Sequence, residues 1–153
     1  MMTYVINILD WFMHISLVSA LKVQTVTDPD MILQMLAKKL PELDLQTALS
    51  CCGGEKAFYL ELLSDFTKIP IETELSHFLE RKDQKGYHVR IHGFKNSAYL
   101  VGALRLSDIA LELEKMSADD LPEEIYEMHA FFCEQYGRIC QQYRETLEIC
   151  NKR

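Results

Sequence analysis

The sequence predicts an all-α protein: an up-down-up-down four-helix bundle with additional N-terminal helices. Three observations carry that expectation. Glycine and proline are scarce, 6 and 4 among 153 residues, and no rhythm of short alternating strands and tight turns appears. Apolar residues recur in steps of three and four through several long stretches, the period of a helix with one face in a core. The polar links between these stretches are short, which sets successive helices antiparallel. A chain of this length suits one domain with a real core, and its 48% hydrophobic and 25% charged residues are ordinary for a soluble globular protein.

Residues 1–27 form an apolar N-terminal extension, and residues 28–153 form the domain. Within the extension, residues 4–23 are strongly apolar yet include Asn7, Asp10, His14 and Lys22. They show no basic start or small-residue cleavage site of a secretory signal. As a membrane span they would place Asp10 and His14 in hydrocarbon, at high cost. Three readings stay open: a helix packed on the domain or on a second subunit, a membrane-associated end, or a non-native leader upstream of the true domain.

Asp28-Pro29-Asp30 opens the first helix of the domain, with an aspartate cap, proline at the first helical position and an acid in the first turn. Ile32, Leu33, Met35, Leu36 and Leu40 give it an apolar side, and Pro41 ends it. A short helix over residues 43–51 is closed by Gly53-Gly54. A long helical pattern follows over residues 55–80, with Phe58, Leu62, Phe66 and Ile69 in its first stripe and Leu75, Phe78 and Leu79 in its last turns. Pro70 inside it predicts a kink or boundary near Ile69, because an interior proline costs about 3 kcal/mol.

A polar link at residues 81–86 leads to the central helix. There Tyr87, Ile91, Phe94, Ala98 and Val101 make one apolar stripe. Gly102 ends it. Residues 103–116 form the next helix, burying Leu106, Ile109, Leu113 and Met116 while Asp108, Glu112 and Lys115 look outward. The final helix, residues 123–151, carries Ile125, Met128, Phe132, Tyr136, Ile139, Tyr143 and Leu147.

A formal net charge of -7 argues against a nucleic-acid partner, which would reward a basic surface. Five scattered cysteines, an odd number without a two-plus-two spacing, suggest reduced thiols in the cytoplasm. Neither GxxxxGK[ST] nor GxGxxG occurs, so no ATP site is expected.

On the central helix a second face carries His92, Lys95, Asn96 and Tyr99 at i, i+3, i+4 and i+7, with His88 one turn before. Imidazole and ammonium are therefore expected side by side, pointing away from the core. A neutral imidazole can take up a phosphoryl group, and a cation one turn on can offset the added charge. His88 and His92 could also share a metal, but no acidic or thiol third ligand stands at a matching spacing, so no metal site is expected. His14, His77 and His129 read as structural or surface histidines.

The run His92-Gly93-Phe94-Lys95-Asn96-Ser97-Ala98 through Gly102-Ala103-Leu104-Arg105-Leu106, ending Leu113-Glu114, resembles the histidine-containing phosphotransfer (HPt) domain family. Upstream, Gly53-Gly54-Glu55-Lys56-Ala57-Phe58-Tyr59-Leu60-Glu61-Leu62-Leu63 is similar to that family's entry into its first long helix. The resemblance covers about residues 43–147. It implies a bacterial-type two-component phosphorelay protein, whose exposed histidine accepts phosphate from an aspartyl phosphate on a receiver domain and passes it to another receiver. Such a protein is a phosphotransfer intermediate rather than a turnover enzyme.

By that resemblance His92 is the phospho-acceptor and Lys95 its charge partner. His88, Asn96, Ser97 and Tyr99 would support the phosphate or dock the receiver. The partners implied are response-regulator receivers or a hybrid sensor kinase. No cofactor is expected on this chain, the Mg²⁺ being carried by the receiver. The sequence departs from the family at Asn96, where glycine usually follows the lysine, and at Gly93, where a hydroxyl residue usually follows the histidine. The alternative expectation is a helical adaptor that binds a receiver or other signalling partner without phosphotransfer.

Overall fold

Three of the described helices start where an aspartate side chain accepts an otherwise unpaired backbone amide. The computed structural model describes residues 28–152, and among these every regular element is an α-helix. Helix α1, Pro29–Lys39, is capped by the Asp28 carboxylate, which accepts from the Asp30 amide at 3.0 Å. Helix α2, Leu45–Cys51, is capped likewise by Asp44 on the Thr47 amide at 3.0 Å, and Gly53 and Gly54 close it.

The long pattern over residues 55–80 divides, as Pro70 requires, into α3, Lys56–Phe66, and α4, Ile71–Glu80. Its first half already stops at Phe66, where Tyr136 Oη donates to the carbonyls of Phe66 and Ile69 at 2.6 and 2.9 Å. Helix α5, Gln84–Leu100, begins earlier than expected. The Asp83 carboxylate accepts from the Gly86 amide at 2.9 Å and draws the second half of the polar link into the helix. Helices α6, Leu104–Met116, and α7, Ile125–Asn151, follow the expected stretches closely.

Gly102 is required at the α5–α6 turn. Its φ is +83°, and a Cβ there would lie 2.6 Å from the Asp44 carbonyl oxygen. The close approach is used: the Asp44 amide donates to the Gly102 carbonyl at 2.9 Å, tying the start of α2 to this turn.

Tyr87, Ile91, Phe94, Ala98 and Val101 are all fully buried, so the apolar face of α5 is the one the periodicity indicates. Phe94 lies at its centre, its ring centroid 5.2 Å from those of Phe66, Phe132 and Tyr136. Met116, expected in the core, is only half-buried at the end of α6, while Tyr59 is fully buried and donates to the Val101 carbonyl at 2.8 Å. Helix α6 packs between α5 and α7, α4 packs on α5, and α1 packs on α7. Lys39 with Glu145 at 3.8 Å, and Arg138 with Glu42, hold α1 and its following loop to α7. All five cysteines are free thiols. Among the described residues no helix is long and apolar enough to cross a membrane; residues 4–23 lie outside them.

Candidate functional site

The polar side of α5 does not simply face solvent. It leans on the C-terminal half of α6. Gln84, His88, His92 and Lys95 follow one another at helical spacing, and each reaches across to that helix or to the residues just past its end. Gln84 Nε2 donates to the Ser117 and Ala118 carbonyls at 2.5 and 3.0 Å. His88 Nδ1 lies 3.0 Å from the Glu114 carbonyl oxygen and 3.3 Å from Ser117 Oγ. Further along, Ser107 Oγ donates to the Lys95 carbonyl at 3.0 Å. Residue numbers rise on α5 as they fall on α6, so the two helices run antiparallel.

Glu114 is the centre of the arrangement. One carboxylate oxygen is hydrogen-bonded to His92 Nδ1, and the other takes Lys95 Nζ at 2.5 Å. An ionised carboxylate only accepts, so Nδ1 of a neutral His92 carries the proton and Nε2 carries the ring lone pair. Burial works against ionisation of Glu114, but hydrogen bonds and charge from Lys95 and His92 outweigh it and hold the carboxyl below its ordinary range.

Exposure separates the members. The side chain of His92 is 31% exposed, that of Lys95 19% and that of Glu114 15%. The His92 ring is thus reachable from solvent at the protein surface. Lys95 is a correction to the expected outward-pointing ammonium: it is drawn down onto α6 because Glu114 supplies a carboxylate within reach. His88 is half-buried and bound to the end of α6. Asn96 and Ser97 are half-buried, and Ser97 Oγ lies 3.4 Å from the Gly93 carbonyl, to which it donates within its own helix. Tyr99 is exposed, as is Val89 on the same helix. Beside His92, Gly93 faces open space, with no heavy atom within 4 Å of where a Cβ would stand.

The remaining described histidines differ in kind. His129 is buried, with Nδ1 3.2 Å from Tyr87 Oη and Nε2 3.3 Å from Ser76 Oγ, and burial lowers its pKa despite an opposing influence from Glu72. His77 is exposed beside Arg81. The neighbouring Cys133 thiol is pushed up to about 12 by burial and by Glu72, which makes it a poor nucleophile. Among the described residues no group of three or more His, Cys, Asp or Glu side chains is placed to hold a metal ion.

Glu114 is the member of the candidate site that the sequence pattern left without a role. A signal for it exists. Ser107 and Glu114 stand seven apart on α6, on one face of a helix, and both meet the polar stripe of α5. No family model, curated protein or solved structure matches this chain.

Proposed function

We propose that this protein is a histidine phosphotransfer protein of a phosphorelay, taking a phosphoryl group on His92 from a receiver-domain aspartyl phosphate and returning it to another receiver. The observation that carries this reading is the Glu114 carboxylate gripping both His92 Nδ1 and Lys95 Nζ beside a surface-reachable ring. With the proton held on Nδ1, the Nε2 lone pair attacks phosphorus. The N–P bond forms as the acyl P–O bond breaks, and the receiver's aspartate leaves as a carboxylate. Positive charge develops on the ring, and Glu114 faces it. Lys95 can exchange one carboxylate oxygen for the incoming phosphoryl oxygens. Mg²⁺ is expected to arrive with the receiver domain.

The helical packing supports a four-helix bundle made of α3 with α4, α5, α6 and α7, to which α1 and α2 are additions. Such a scaffold suits the chemistry: it presents an imidazole on a rigid rod and leaves catalysis to the docked receiver. A cytoplasmic location, where receivers work, follows from the same reading.

A second reading, the adaptor without phosphotransfer, draws on two features. Lys95 is already neutralised by Glu114, and Asn96 adds bulk beside the ring. One experiment separates the two. Incubation with a phosphorylated receiver should give acid-labile, base-stable label that is absent from His92→Gln. Binding of the receiver without label supports the adaptor.

A further inference from the structure

We propose that His88 is a positioning residue for His92, acting through Glu114. The transfer part of this proposal rests on the phosphotransfer reading above; the part concerning the His92 tautomer does not. Glu114 belongs to the last turn of α6, and the amide four residues ahead of it, that of Ala118, donates instead to the Lys115 carbonyl at 3.3 Å. The Glu114 carbonyl is served by side chains: His88 Nδ1 at 3.0 Å and Ser117 Oγ, which donates at 3.2 Å. A carbonyl only accepts, so His88 Nδ1 is a donor whether the ring is neutral or protonated.

The same residue thus meets α5 twice. Its backbone is fixed by His88, and its carboxylate fixes His92 and Lys95 one and two turns further on. Removing the His88 donor frees the turn that aims the carboxylate, and the His92 tautomer and ring orientation loosen with it. Gln84 still holds the Ser117 and Ala118 carbonyls just past that end, and His88 lies outside the buried stripe of α5, so the fold should survive the change.

The test compares wild type, His88→Ala and His88→Asn, the asparagine amide nitrogen standing where Nδ1 stood. Imidazole nitrogen shifts by NMR should show His92 wholly in the Nδ1–H form in wild type, a mixture of tautomers in His88→Ala, and restoration in His88→Asn. Single-turnover transfer from a phosphorylated receiver should slow about tenfold in His88→Ala at saturating receiver, with half-saturation unchanged, and recover in His88→Asn. Unchanged tautomer and rate in His88→Ala would overturn the proposal. So would a loss of rate accompanied by loss of cooperative melting and no rescue by asparagine. Should wild type take no label while the tautomer still shifts in His88→Ala, the phosphotransfer reading falls and the positioning role stands. Should wild type and His88→Ala label equally fast with the same tautomer, the reverse holds.

Discussion

The two faces of α5 are built for opposite purposes on the same backbone. Tyr87, Ile91, Phe94, Ala98 and Val101 are sealed in the core, whereas Gln84, His88, His92 and Lys95 meet α6 and the residues just past its end through hydrogen bonds at a half-buried seam. The apolar face gains from shape and burial, so volume matters there. The polar face gains from donor and acceptor placement, so atom identity matters. Substitutions should therefore divide: one face costs stability, the other costs transfer.

Phe94→Ala should give the largest loss of stability. It removes a ring packed on Phe66, Phe132 and Tyr136, and a cost of about 3–5 kcal/mol is expected in urea unfolding. A near-neutral result would reverse the assignment of faces. His129→Ala comes next, at about 2–3 kcal/mol, because it strips partners from the buried Tyr87 and from Ser76.

His129 also carries a pH signature. The unfolded chain protonates this ring near its ordinary 6.5, whereas the folded chain, where burial depresses the pKa, resists until lower pH. The unfolded state binds more protons across that interval, so this contribution to stability is present above 6.5 and is lost as pH falls toward the folded value. Urea unfolding on either side of that pH should show the slope in wild type and a shallower one in His129→Gln. Glu114 behaves in the same sense at lower pH. Its depressed folded pKa makes its contribution present above 4.5 and lost as pH falls through the folded value, and Glu114→Gln should remove that part of the acid slope.

The effect on stability shrinks further along the polar face. Lys95→Ala breaks a half-buried ion pair and should cost about 1 kcal/mol while slowing transfer. His92→Gln should cost less than about 1 kcal/mol and yet abolish labelling. A His92 variant that unfolded, or a Phe94 variant that stayed stable but transferred poorly, would erase the distinction between the faces.

Most of the helical content was legible before the structure, because periodicity reports directly which side of a helix is wet. The buried stripe of α5, the break at Pro70 and the turn at Gly102 all follow from local rules. Element starts shifted where a cap acted at short range, as Asp83 did for α5. The candidate site was only half legible. His92 and Lys95 could be placed on one face, but periodicity says nothing of which neighbouring helix that face meets, or which of its acids comes within reach. Glu114 entered only as the end of the run that carries the family resemblance, and Lys95 was expected to point away from the core; packing of α5 on α6 gives Glu114 two partners and draws Lys95 down. Expectations for residues 1–27 lie outside the described residues.

The most direct measurement is ³¹P NMR of the chain after incubation with a phosphorylated receiver, with imidazole nitrogen shifts recorded on the same sample. Phosphorus bonded to Nε2 of His92, with Nδ1 still protonated toward Glu114, is the expected result. Phosphorus on Nδ1 or on another residue, or a receiver that binds and leaves no phosphorus behind, would contradict it.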